Sequence, residues 1–520
     1  RKKRLEQIKV DCYRNGGRGD KQYSGDGEDC TQMLPADPTT LPALGSSCPK
    51  SCSSYRKWIE RKNTQYDKQQ NAYSNQKENC KKGSDNGFCE TLRNYNDAAD
   101  FLEKLGPCSK INSGEVKKFF DKNGDTFKHA KDCAPCSKFK IKCENGYCSG
   151  GTNETCNGTT VITSENFEQM GQTAKEFVMR VSDKSGNEFQ NDLNECAGAD
   201  IFQGIKENKW TCGYVCGYDV CKPKNGNGQN DGTYIIQIRA LFKRWLETFF
   251  EDYNKINDKI SHCMKKGEGY KCIKECGKKC DCVGKWEEEK RKEWEEIKKR
   301  YLEQHKVTQS QVFEVKSFLQ QGMFTYDVDK AIKPCDGLEK FQNSTDCTVA
   351  GSSESGKDGT QKDIVECLLD KLQTKANKCK DDHKPSGETQ RTCDESSTPL
   401  VEDDDPLEEV DQNPEDAQKM IPKICGDVIQ KIPKEKKEGG CEEAPTTPPE
   451  PAPPPPSEEQ IEQTLVPKHK DEGPPPKKPE APATPNHQPL PSDNTSDILK
   501  TTIPFGIAIA LTSIVFLFLK

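Results

Sequence analysis

The sequence predicts a mostly α fold of disulfide-rich helical-bundle modules with long loops, followed by a Pro-rich disordered stalk and a single transmembrane helix. Three observations carry that expectation. The chain holds 28 cysteines in 520 residues against six histidines, a balance that points to disulfides in an oxidising compartment rather than to thiol chemistry or zinc. Ile235, Ile238, Phe242, Trp245, Phe249, Tyr253, Ile256, Ile260 and Cys263 fall within an arc of about 80° on a helical wheel. Residues 501–519 (TTIPFGIAIALTSIVFLFL) carry no charge, and at about 1.5 Å per residue they reach about 28 Å, close to the thickness of a hydrocarbon core.

Four segments are expected: 1–156, 157–380, 381–500 and 501–519. The first two contain an internal repeat. Cys48, Lys50, Cys52, Lys57, Trp58, Glu60, Lys62 and Tyr73 recur 228 residues later as Cys276, Lys278, Cys280, Lys285, Trp286, Glu288, Lys290 and Tyr301, and Tyr66 meets Trp294. Such self-similarity marks a duplicated unit. Trp58, Lys62, Tyr66 and Tyr73 form one narrow helical stripe, so they and their counterparts Trp286, Trp294 and Tyr301 are expected to pack a core. A cysteine just before each helix would tie its start to a neighbour.

The helix through Phe242, Trp245, Phe249 and Tyr253 carries Lys243, Arg244, Glu247, Glu251 and Lys255 on its other face. Joined to the second repeat through the cysteines between Cys263 and Cys282, it should form an antiparallel pair. A weaker helix is expected over Asp363–Cys379. Gly-, Asn- and Cys-rich stretches such as Asn145–Gly158 and Lys222–Gly232 read as loops with little strand signal. Disulfide candidates are Cys48, Cys52, Cys133, Cys136, Cys143, Cys212, Cys216, Cys221, Cys263, Cys272, Cys276, Cys280 and Cys282. A Cys133–Cys143 pair is one plausible connection. The even counts, twelve cysteines in 1–156 and sixteen in 157–441, would let each block close its own bonds.

Residues 381–500 hold 23 of the 32 prolines and 28 acidic against 13 basic side chains, a composition that favours extended polyproline II and forms no core. Within the net charge of −7, residues 1–380 are accordingly basic, at about +7, which suits acidic partners such as sulphated glycans; a mixed, solvated surface is the plainer reading. Residues 501–519 read as one membrane span in contact with lipid, with the N-terminal side outside. A lipid-anchor signal cleaved around Ser492–Ser496 is the alternative. Without an initiator Met or an apolar leader at Arg1–Val10, the chain reads as a fragment.

Several motifs are those of a known family. The C-x3-C-x2-Y-x2-W-I unit at Cys48–Ile59, the A-x-D-F-L-x2-L-x2-C run at Ala98–Cys108 and the Cys133/Cys136/Cys143 cluster resemble the last subdomain of a Duffy-binding-like domain. W-x-C-x3-C-x4-C at Trp210–Cys221, the helix IRALFKRWLETFFEDYNKI and CIKECGKKCDCVGKW look like a cysteine-rich interdomain region. With the stalk and the span, the chain resembles the C-terminal ectodomain of the Plasmodium falciparum erythrocyte membrane protein 1 family, the var-encoded variant adhesins. The pairing is similar to a delta-type domain followed by a beta- or gamma-type interdomain region.

The resemblance implies a single-pass protein at the infected erythrocyte surface that mediates cytoadhesion and antigenic variation. Its implied partners are host receptor proteins, with immunoglobulin M or sulphated glycans as further candidates; a spacer and immune decoy is the alternative. The sequons at Asn153, Asn157, Asn343 and Asn494 would be bare. No cofactor, metal or nucleic-acid partner is expected. The C-x2-C spacing of Cys133 and Cys136, with Cys143 and Cys148, is compatible with zinc, but its cysteine-crowded context favours disulfides. The six histidines are scattered, no phosphate-binding glycine motif occurs, and no catalytic set can be assembled, so an enzyme is not expected.

Overall fold

Burial of one amphipathic helix on every side organises the chain. A computed structural model describes residues 1–383 apart from 46, 82–88, 90–91, 93, 104–120, 122–123, 144–155, 157–158, 170–173, 184–187, 190, 225–233, 262, 265–275, 306–310, 346 and 348–361. Cys272 and the segments expected to form the stalk (beyond residue 383) and the span lie outside the described residues. Among the described residues no helix is long and apolar enough to cross a membrane. The described residues fall in two units, Arg1–Gln65 with those of 122–383, and those of 66–121.

The helices are α1 (Lys2–Cys12), α2 (Ser47–Lys81), α3 (Ala98–Glu103), α4 (Ser164–Gln169), α5 (Ile238–Ser261), α6 (Cys276–Gln304), α7 (Gln311–Leu319), α8 (Thr325–Ala331), α9 (Leu338–Gln342) and α10 (Ile364–Asp382). The strands are β1 (Met33–Leu34), β2 (Phe139–Lys142), β3 (Thr159–Ile162), β4 (Lys175–Ser182), β5 (Ile205–Val215), β6 (Tyr218–Pro223) and β7 (Ile236–Gln237). β1 runs parallel to β2 and β2 antiparallel to β3, while β4, β5, β6 and β7 form a second sheet of antiparallel neighbours.

In the first unit α5 and α6 supply the core. Phe242 stacks on Tyr301 with ring centroids 4.2 Å apart, Trp245 on Trp294 at 5.1 Å and Phe249 on Trp286 at 5.9 Å. Contacts that advance along α5 retreat along α6, so the pair is antiparallel, as the repeat and the stripe require. Tyr253 is fully buried beside Phe249. The weaker helix becomes α10, and its start is specified chemically. Asp363 caps it by accepting from the Val365 and Glu366 amides while the Glu366 carboxylate accepts from the Asp363 amide, a reciprocal capping box. The same Asp363 carboxylate accepts from Trp294 Nε1 at 3.2 Å and from Lys298 Nζ at 2.9 Å, which fastens α10 to α6.

The sheets depart from the sequence expectation. β4 alternates Phe177, Met179 and Val181 inward, a period-2 pattern whose signal is short and surrounded by loop-like composition. The Trp210–Cys221 motif is the β5–β6 hairpin, with Cys212 directly opposite Cys221, and β6 runs on into the expected loop at Lys222 and Pro223. β4 would present a free edge, a site of unwanted pairing, but α6 satisfies it. The Arg180 amide donates to Glu293 Oε1 at 2.9 Å, and the Arg180 carbonyl accepts from Lys290 Nζ.

In the described part of the second unit, Tyr73, Cys80, Cys89, Leu92 and Ala98 cluster with Phe101. The Cys80–Cys89 bond and the Tyr73 hydroxyl, donating to the Tyr95 carbonyl at 3.3 Å, hold the end of α2 to the segment before α3, and the Tyr73 ring meets Phe101 of α3 at 5.8 Å.

Trp245→Ala is expected to destabilise the first unit by about 3–5 kcal/mol, measured by denaturant unfolding. Lys285→Ala, which breaks an exposed pair with Glu288, should stay within about 0.5 kcal/mol.

Candidate functional site

The turn Ser24-Gly25-Asp26-Gly27-Glu28 is buried against the charged face of α5. Gly27 has φ +89, and a Cβ there would meet the Gly45 carbonyl oxygen at 2.5 Å; one on Gly25 would meet that of Cys133 at 2.5 Å. Both glycines therefore permit a close approach of backbone that a side chain would block. The turn delivers Asp26 to Arg244 in a two-bond fork, Oδ1 to Nε and Oδ2 to Nη2, each at 2.7 Å. Arg244 also lies over the rings of Trp210 and Tyr234 at 5.5 and 5.9 Å, a cation–π arrangement. Burial opposes the charge on Asp26, but Arg244 more than offsets it and holds the carboxyl below its ordinary value.

Around this clasp the charged face of α5 is engaged throughout. Lys243 is buried, paired with Glu247 at 2.9 Å and donating to the Gly25 carbonyl at 3.3 Å. Arg239 donates to the Pro42 carbonyl at 2.7 Å. Glu251 takes a forked contact from Arg56, and Lys57 pairs with Asp327 at 2.6 Å. The Gln237 amide donates to Glu28 Oε1 at 3.0 Å. Burial, reinforced by the neighbouring Asp26 charge, pushes Glu28 up to about 8. Periodicity places Lys243, Arg244, Glu247, Glu251 and Lys255 on one polar face, but it does not include Arg239 or show what these residues meet. The paired glycines bracketing Asp26 were the available signal.

The disulfides weld the same region. Cys12 bonds Cys48, Cys52 bonds Cys133 and Cys30 bonds Cys136. Cys133 therefore does not pair with Cys143, which is bonded elsewhere, and the C-x2-C residues part to different partners, as α2 and the turn around Cys30 draw them apart. Cys156 bonds Cys216, so the two cysteine blocks do not close separately. The shared core of Phe139, Ile141, Ile162, Val215, Tyr218 and Val220 brings these cysteines together across residue 156. Further bonds are Cys196–Cys282, Cys212–Cys221, Cys263–Cys276, Cys280–Cys379 and Cys347–Cys367.

The two repeats are wired alike. The first cysteine of each, Cys48 or Cys276, bonds the end of the preceding helix or the turn just after it, at Cys12 or Cys263; the second, Cys52 or Cys280, bonds a segment far downstream, Cys133 or Cys379. Lys62 and Lys290 are both buried and donate three residues ahead, to Gln65 at 2.9 Å and Glu293 at 2.8 Å. Of the expected core aromatics, Tyr66, Tyr73, Phe242, Trp245, Phe249, Tyr253, Trp286, Trp294 and Tyr301 are buried, and Trp58 is half-buried beneath Arg4.

A crevice lined by Leu41, Tyr218, Asp219, Gln237, Ile238, Arg239, Gln304 and His305 leaves no room for a ligand. Its polar groups serve the fold: Gln304 accepts from the Asp219 amide and Asp219 pairs with Arg300 at 3.0 Å. Large apolar side chains are exposed at Val10, Met33, Val161, Tyr214, Phe313 and Tyr326. Met33 and Val161 share one row of the first sheet across Lys140.

Three family models match successive parts of the chain. The Duffy-binding-like domain, C-terminal subdomain, matches residues 1–131; Cysteine-Rich Interdomain Region 1 gamma matches 174–225; the PFEMP1 DBL domain matches 241–387. Among solved structures, the chain is similar to the N-terminal NTS-DBL1-alpha and CIDR-gamma double domain of the PfEMP1 protein from Plasmodium falciparum varO strain. The two are 25% identical with a TM-score of 0.49, over 74% of this chain and 56% of that one. No curated protein matches the chain.

Arg244→Ala should strand Asp26 in the interior and destabilise the first unit by about 3–5 kcal/mol, read by denaturant unfolding. Glu28 yields a pH signature. Its folded-state value lies above the ordinary 4.5, so between about pH 4.5 and 8 the unfolded chain loses a proton that the folded chain keeps. Its contribution to stability is present below that window and falls through it, by at most about 1.4 kcal/mol per pH unit. Glu28→Gln should remove this component, and its stability relative to the parent should climb as pH rises from 5 to about 8 in unfolding curves taken across the range.

Proposed function

We propose that the chain, whose successive parts match PfEMP1 family models, is a variant cytoadhesion adhesin of that family, whose helical head binds a host receptor protein while residues 381–500 space it from a membrane crossed at 501–519. The family is non-enzymatic and resides at the infected erythrocyte surface. What carries the reading is the order of modules along one chain, a Duffy-binding-like C-terminal subdomain, a gamma-type interdomain region and a PFEMP1 domain. The division at 1–156 and 157–380 is kept as part of the proposal, with Cys156–Cys216 joining the two.

A protein partner suits the chemistry better than a small ligand. Exposed apolar side chains such as Met33 and Val161 flank Lys140 in one row of the first sheet, a surface that suits contact with another protein. A second reading, a sulphated-glycan binder, is favoured by the basic balance of residues 1–380.

The two separate by salt. With the full chain displayed on cells and panned against endothelial surface proteins and immunoglobulin M, a reproducible protein ligand is expected. Its binding should fall only modestly between about 0.1 M and 1 M salt, across which the screening length shrinks from about 10 Å to 3 Å. Binding abolished by that salt and by soluble heparin would favour the glycan. An absence of any reproducible binder would leave a spacer and immune decoy.

A further inference from the structure

Four sulfurs meet where α1, α2 and the turn at Lys131–Cys133 converge, and they form two bonds side by side, Cys12–Cys48 and Cys52–Cys133. Cys48 and Cys52 stand one helical turn apart on α2, so both bonds lie on the same face. Across the gap between the bonds, Cys12 Sγ is 3.9 Å from Cys52 Sγ. The sulfurs of Cys12, Cys48 and Cys52 all lie within 4.8 Å of one another.

Their surroundings are unequal. Cys12 and Cys48 have no exposed surface, Cys52 has 7%, and Cys133 is half-buried. A reductant in solution therefore reaches Cys133 first. Cys48 has a further feature: its sulfur lies 3.2 Å from the Ser24 carbonyl oxygen and 3.6 Å from that of Tyr23. A bonded sulfur has no hydrogen to offer those oxygens, but a free thiol there would have an acceptor waiting.

We propose that these four cysteines form a thiol–disulfide exchange site that passes reduction inward from Cys133 to Cys48. In the first step an external thiolate attacks Cys133 Sγ. The Cys52–Cys133 bond breaks, a mixed disulfide forms on Cys133 and Cys52 leaves as a thiolate. A second external thiol resolves the mixed disulfide, releasing an oxidised external pair and the Cys133 thiol. Cys52, free to turn about its Cα–Cβ bond, then attacks Cys12 Sγ. The Cys12–Cys48 bond breaks, a Cys12–Cys52 bond forms, and Cys48 leaves, takes a proton from solvent and donates it to the Ser24 carbonyl. Exchange of this kind depends on access and on the sulfur attacked: access favours entry at Cys133, and Cys12 lies 3.9 Å from Cys52, which must turn to line up with the Cys12–Cys48 bond. α1 stays tied to α2, one turn further along, while the Lys131–Cys133 turn loses its covalent link to α2 and is held by Cys30–Cys136 three residues on. The site thus converts an external reducing signal into loss of one link to α2 with α1 still held.

The test is limited reduction of the full native chain with a small phosphine, followed by quenching in acid, alkylation and peptide mapping. The expected product carries equal label on Cys48 and Cys133 and yields a peptide pair linked by Cys12–Cys52. Label on Cys52 and Cys133 with Cys12–Cys48 intact would overturn the proposal, as would simultaneous labelling of all four with no two-thiol species. Cys133→Ser provides a second arm, because it leaves Cys52 without its partner from the start. Purified from an oxidising compartment and alkylated without reductant, it should be labelled at Cys48 and carry Cys12–Cys52. Label on Cys52 instead would again sink the idea.

Discussion

The carboxylate of Glu293 is the contact on which the first unit depends. It is buried, and it accepts from Trp245 Nε1 at 2.8 Å, from the Arg180 amide at 2.9 Å and from Lys290 Nζ at 2.8 Å. One group on α6 thereby fixes the indole of α5 and closes the edge of β4. Lys290 completes the arrangement by donating to the Arg180 carbonyl and lying over the rings of Trp245 and Trp286 at 5.7 and 5.9 Å. A buried charge is tolerable when its lone pairs are this fully used. The same arrangement explains how a helix as charged as α6 can sit in a core: its acids and bases pair inward, with Arg180 drawn to Glu289 at 3.0 Å and Glu207 at 3.6 Å.

Much of this was legible in the sequence, for reasons that follow from period. The stripe from Ile238 to Ile260 and the spacing of Trp286, Trp294 and Tyr301 marked two helices and their facing sides, since aromatic rings at helical intervals have few other uses. The repeat was legible because cysteine and tryptophan tolerate little substitution within it. Less was visible where the information is not local. The β5–β6 hairpin hides in a run rich in Gly, Cys and charged residues, and its strands are specified by the Cys212–Cys221 pairing as much as by alternation. Disulfide connectivity joins residues tens of positions apart, and parity within a block misled because Cys156 belongs to a core shared across the boundary. Likewise, nothing local distinguishes a solvated polar face from one that docks on Asp26, Glu28 and Arg56.

The duplicated clamp and the clasp on α5 play complementary parts. In each copy the paired cysteines hold the beginning of a long helix to an earlier and a later segment, and the charged face of α5 then binds the first copy's surroundings to the second module through Arg244, Glu251 and Lys243. Desolvation makes such contacts selective as well as adhesive, because a misplaced partner would leave a charge buried alone.

The order of the cystine bridges has a mechanical consequence when the chain is pulled. Load entering near Cys12 can cross to Cys48, pass from Cys52 to Cys133, from Cys156 to Cys216, from Cys196 to Cys282 and from Cys280 to Cys379. The taut covalent path through the head is then only about fifty peptide steps long, and with no more than about 3.6 Å per step and about 27 Å across the five bridges its maximum extension is about 200 Å. Even if every helix were torn open, the remaining residues would hang as slack side loops, and the tether could not pay out to the contour length of the whole polypeptide.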